Sequence, residues 1–106
     1  MFIAGEMVPS VADRWMETVN PFTGNVWAEV PQASSADVEL AVRAARDAFD
    51  RSDWAQRPRE RATVMRRLAD LLDAHADELA EVESRDNGKT IREELAMYGS
   101  VSSWYR

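Results

Sequence analysis

One stretch constrains the fold of this chain more than any other: Glu78–Glu94, reading ELAEVESRDNGKTIREE, where one amphipathic pattern ends and another begins. Between them, Asp86-Asn87-Gly88-Lys89-Thr90 joins a helix stop to a helix start. Asn and Gly tolerate the left-handed conformation in which helices end. Thr90 with Glu93 three residues on is a reciprocal cap, the hydroxyl accepting from the Glu93 N–H while the carboxylate reaches back to the Thr90 N–H. The stretch dictates helix, turn, helix.

Working outward, the helix before the turn is expected over about 58–84. Pro58 suits its first turn, where a missing N–H leaves nothing unpaired. Met65, Leu68, Ala69, Leu72, Ala76, Leu79 and Val82 or Glu83 mark its buried side by helical spacing. The helix after the turn is expected over about 91–105, on the stripe Ile91, Leu95, Tyr98, Val101 and Tyr105. No stop residue closes that stripe, which reads as an element cut by the chain end; the alternative is that Trp104 and Tyr105 fold back as a cap. A third helix is expected over about 35–51. Ser34-Ser35-Ala36-Asp37 is a capped, acidic start, and Val38, Ala41, Val42, Ala45, Ala48 and Phe49 form its apolar stripe.

The first part of the chain, about 1–31, reads as extended. Met1–Val8 is a hairpin turning at Ala4-Gly5-Glu6, and Pro9–Arg14 is a polar connector. Trp15–Asn20 is extended and ended by Pro21, whose ring also pushes Asn20 out of the helical region. After the turn Asn20–Gly24, Val26, Ala28 and Val30 alternate with Trp27 and Glu29, a strand with one apolar face ended by Pro31. The strands are expected to make one small antiparallel layer. The fold class is therefore α/β, in the form of an α+β fragment: an N-terminal antiparallel β-hairpin and short strands, then three amphipathic helices.

Composition narrows the function classes. With 106 residues one core is the limit, and 45% apolar with 30% charged residues favours neither disorder nor a membrane span. No apolar run approaches the roughly 20 residues a spanning helix needs. The opening MFIAGEMVPS lacks a basic leader, so a cytoplasmic protein is expected. A net charge of −6 argues against nucleic acid as a partner. Arg57, Arg59, Arg61, Arg66 and Arg67 are interleaved with Glu60 and followed by Asp70 and Asp73, a solvated face.

Chemistry is nearly absent. There is no cysteine, hence no thiolate nucleophile or thiolate metal site within these residues. The four glycines, Gly5, Gly24, Gly88 and Gly99, are isolated, so no loop cradles a phosphate. His75 is the only histidine, a packing or surface residue by its setting, and Asp70, Asp73, Asp77 and Glu78 line a solvated helix face. The residues alone name no reaction.

Five ordered blocks do carry a resemblance: FIAGEMV; ETVNPFTGNVWAEVP; DVELAVRAARDAFD with Trp54 after it; RPRERATVMRRLADLLDAHADELAEVES; and RDNGKTIREE. Together they resemble the N-terminal portion of the aldehyde dehydrogenase superfamily. The resemblance implies that residues 1–106 form the outer, N-terminal part of an incomplete Rossmann-like coenzyme-binding domain. It implies oxidation of aldehydes to carboxylic acids with NAD or NADP through a cysteine thiohemiacetal, in a homodimer or homotetramer. The family's catalytic cysteine, glutamate and oxyanion asparagine and its dinucleotide-binding units lie outside these residues, so no catalytic or cofactor-binding residue is assigned and the segment alone is expected to be inactive. One family feature maps here, a monovalent cation, Na⁺ or K⁺, held by backbone oxygens of Thr18 and Val19 and by Asp86. Hard cations take such oxygen ligands. Otherwise Asp86 ties down the helix terminus. The rival reading is a truncated helical module that self-associates or binds a partner, with Trp15, Trp27, Trp54 and Trp104 exposed on apolar patches.

Overall fold

The computed structural model describes residues 1–106, which divide into two units: Met1–Thr18 with Val26–Gln56, and Val19–Asn25 with Arg57–Arg106. In the first, β1 (Phe2–Ile3) and β2 (Glu6–Met7) pair antiparallel, Phe2 opposite Met7 and Ile3 opposite Glu6. Their turn residues Ala4 and Gly5 have φ of 54° and 87°, the left-handed pair that a tight hairpin requires. The terminal ammonium donates to the Val8 carbonyl at 2.6 Å and the Val8 N–H to the Met1 carbonyl at 2.7 Å, which closes the hairpin.

β3 (Trp15–Val19) and β4 (Val26–Pro31) form a separate two-stranded sheet. The expected single layer is therefore corrected to two. In the connector between the two sheets, Ser10 and Val11 are bonded to Asp37 and Asp13 sits at φ 47°, so these residues are committed to bonds and a turn rather than to a shared strand ladder. Asp37 belongs to α1 (Ser35–Arg51), whose Ser34 cap forms as the sequence dictates. Asp37 accepts from the Ser34 N–H and hydroxyl, both at 2.7 Å, from the Ser10 hydroxyl at 3.0 Å and from the Val11 N–H at 2.8 Å. It is almost fully buried, yet every bond its charge needs is made.

The second unit holds α2 (Pro58–Ala74), α3 (Ala76–Asn87) and α4 (Ile91–Val101). The single helix expected over 58–84 is thus two, making four helices rather than three, and its end lies at Asn87. The ladder breaks at His75, which has φ −111° and ψ 14°. Asp77 and Glu78 then occupy the first turn of a new helix, where carboxylates face the positive end of its dipole. The α-helix expected over 91–105 stops at Val101 and tightens into a 3₁₀ turn over Ser102–Tyr105. Arg106 anchors that turn to α2, donating to Asp70 at 3.1 Å and Asp73 at 2.5 Å, while Trp104 stays exposed and Tyr105 is half-buried.

The core is smaller than the stripes suggest. Ala69 and Ala80 are its only buried apolar residues, whereas Val38, Val42, Phe49, Met65, Leu68, Val82, Ile91 and Leu95 all remain exposed. No helix is long and apolar enough to cross a membrane.

Candidate functional site

The α3–α4 turn is the best-organised polar region of the second unit. Gly88 ends α3 in the left-handed conformation at φ 80°, and its N–H donates to the Ser84 carbonyl at 3.1 Å. The Ser84 hydroxyl donates onward to the Lys89 carbonyl at 2.7 Å. Thr90 caps α4 as expected: its hydroxyl accepts from the Glu93 N–H at 3.4 Å, and the Glu93 carboxylate accepts from the Thr90 N–H at 3.3 Å.

Asn87 stitches the two helices together. Its Oδ1 accepts from the Lys89 N–H at 2.8 Å, and its Nδ2 donates to Glu83 at 3.3 Å and Glu94 at 3.1 Å. Glu94 is completely buried in the first turn of α4, with Lys89 Nζ 3.5 Å from its Oε1 and no partner for its Oε2. Glu83 also accepts from the Tyr98 hydroxyl at 2.5 Å. That bond, burial and the two carboxylates push the Tyr98 hydroxyl up to about 12.

A second turn packs on the first. The Asn20 side chain accepts from the Phe22 N–H at 2.9 Å and the Thr23 N–H at 3.3 Å, and the Gly24 N–H donates to the Asn20 carbonyl at 2.8 Å. Pro21 then lies so close to Gly88 that a Cβ there would come within 2.6 Å of its ring. Glycine is required at this position for both space and φ.

Of the predicted cation ligands, Thr18 and Val19 are the last two residues of β3 and Asp86 is the penultimate residue of α3. Thr18 belongs to the first unit, Val19 and Asp86 to the second. The Pro21–Gly88 contact lies two residues beyond Val19 and two beyond Asp86. No group of three His, Cys, Asp or Glu side chains is arranged to hold a metal ion. His75 is exposed beside Glu78, its Nδ1 3.0 Å from the carboxylate, and Arg57 pairs with Glu60 at the surface. These groups supply hydrogen bonds and charge; none forms a nucleophile with an adjacent base.

Sequence reasoning missed the Asn87 bridge and the buried Glu94. One signal was available. Glu83 shares the inner side of α3 with Leu79, and Glu94 and Tyr98 are four residues apart on α4, so three polar groups fall where the two helices meet.

The model of the aldehyde dehydrogenase family matches residues 7–106. The chain is 42% identical over 96 residues to the NADP/NAD-dependent aldehyde dehydrogenase PuuC of Escherichia coli (strain K12), a match covering 90% of this chain and 19% of that protein. It is 44% identical over 91 residues to the 2-aminomuconic semialdehyde dehydrogenase of Bos taurus, covering 85% and 18%. Among solved structures, the NAD⁺ complex of an aldehyde dehydrogenase from Bacillus cereus matches with a TM-score of 0.95 at 41% identity, covering 100% of this chain and 22% of that one. This chain spans about a fifth of the length of these relatives.

Proposed function

Because the chain belongs to the aldehyde dehydrogenase family, we propose that it is part of an NAD(P)-dependent oxidoreductase that converts aldehydes to carboxylic acids through a cysteine thiohemiacetal. The observation that carries this reading is the match to the NAD⁺-complexed relative over the whole of this chain. These 106 residues contain neither cysteine nor a glycine-rich phosphate loop, so their part is architectural: the outer, N-terminal portion of the coenzyme-binding domain. The nucleophile and the nicotinamide site belong to polypeptide outside them. The family match disfavours a free-standing interaction module, although Trp15, Trp54 and Trp104 are exposed. The test is aldehyde-dependent reduction of NAD⁺ or NADP⁺. A protein of the relatives' length should be active and the 106-residue chain inert; turnover by the short chain would overturn the assignment.

In the same reading, backbone oxygens of Thr18 and Val19 and the Asp86 carboxylate hold Na⁺ or K⁺. Support comes from the two turns that meet at Pro21 and Gly88. Replacing Na⁺ and K⁺ by a bulky organic cation should lower the thermal midpoint, and Asp86→Ala should abolish the difference; equal midpoints in all three salts would remove the site. The whole protein is a cytoplasmic homodimer or homotetramer, which cell fractionation and sedimentation velocity test directly.

A further inference from the structure

The chain has three asparagines, Asn20, Asn25 and Asn87, and only Asn87 precedes a glycine. An asparagine amide is open to attack by the next residue's backbone nitrogen, least hindered when that residue lacks a Cβ. Asn20 precedes Pro21, whose nitrogen carries no hydrogen to give up, and Asn25 precedes the β-branched Val26.

We propose that Asn87–Gly88 is a self-modification site gated by the α3–α4 turn. The Gly88 nitrogen bonds Asn87 Cγ, and its proton leaves with the Nδ2 amide as ammonia. Water opens the resulting succinimide. Hydrolysis at Cγ yields aspartate; hydrolysis at the main-chain carbonyl yields isoaspartate, in which the chain runs through the former side chain. One water is consumed, one ammonia is released, and nothing is oxidised or reduced.

In the closed turn the reacting groups are occupied. The Gly88 N–H is bonded to Ser84, and the Asn87 amide is held by Lys89, Glu83 and Glu94. Ring closure therefore requires local opening of the kind that lets buried amides exchange. The product then opposes reclosure. A carboxylate replaces the Nδ2 donor between Glu83 and Glu94, and Glu94 already has one oxygen without a partner. Like charges four residues apart on α3, and a negative charge at its C-terminal end, both destabilise the helix. Deamidation thereby makes a transient opening permanent.

The experiment is peptide mapping by mass spectrometry of the intact protein, incubated warm at mildly alkaline pH with and without urea. The Asn87 amide should be lost before Asn25 converts, as paired aspartate and isoaspartate peptides, and the loss should be faster in urea. Separately, Asn87→Asp should lose amide-exchange protection in the last turn of α3 and the first turn of α4. An Asn87 amide that outlasts Asn25 overturns the site. Equal rates with and without urea overturn the gate, and wild-type protection in N87D overturns the consequence.

Discussion

Asp37 shows how one residue organises a stretch far from it in sequence. Its carboxyl is held well below the usual carboxylate range, chiefly by the Ser34 hydroxyl, then by the Ser34 and Val11 N–H groups, with the Ser10 hydroxyl adding to them against the opposing effect of burial. A carboxyl depressed in the folded state contributes stability above its unfolded value, near about 3.9, and loses that contribution as pH falls towards the folded value. The window therefore lies below about pH 4. Asp37→Asn places an amide nitrogen among donors, so it should lower the urea midpoint at neutral pH. The gap between wild type and variant should then narrow as the solution is acidified through that window. A constant gap would mean that the bonds to Ser10, Val11 and Ser34 do not depend on the charge.

At the scale of elements, the two capping boxes make separable contributions. Losing a Thr cap costs about 1 kcal/mol, so Thr90→Ala should lower the unfolding free energy by that order and shift the denaturant midpoint without changing its slope. A changed slope would instead mean an altered compactness of the unfolded or native state, or a transition that is not two-state. Both caps were legible in the sequence because each is complete within four residues, Ser34 to Asp37 and Thr90 to Glu93. The break at His75 was not. The stripe of Leu68, Leu72, Ala76 and Leu79 continues through it at helical spacing, and no glycine or proline marks the position. The Asn87 bridge escaped for a different reason. Its two carboxylates come from successive helices, so their meeting depends on how α3 and α4 pack rather than on any local pattern.

For the molecule as a whole, the mismatch between apolar stripes and buried residues decides what these residues can do by themselves. Helical spacing put Met65, Leu68 and Val82 on a buried side, yet all three are exposed, and it passed over Ala80, which is fully buried; Val42 likewise remains 62% exposed, Phe49 56% and Leu95 41%. Two alanines are the whole of the buried apolar set, and an alanine offers little area to remove from water. Against them stands a backbone ordering cost of roughly 1–2 kcal/mol per residue. Burial within these residues is therefore a weak source of cooperativity, whereas a protein of the relatives' length has further polypeptide to cover the same faces. Produced as 106 residues, the chain should bind a hydrophobic dye, expose Trp15, Trp54 and Trp104 to an aqueous quencher, and unfold over a broad range of denaturant. In a protein of the relatives' length the same tryptophans should be shielded and the transition sharp. A sharp transition with shielded tryptophans in the short chain would mean that its apolar faces find partners among themselves, and the architectural role proposed for it would have to give way to that of a free-standing module.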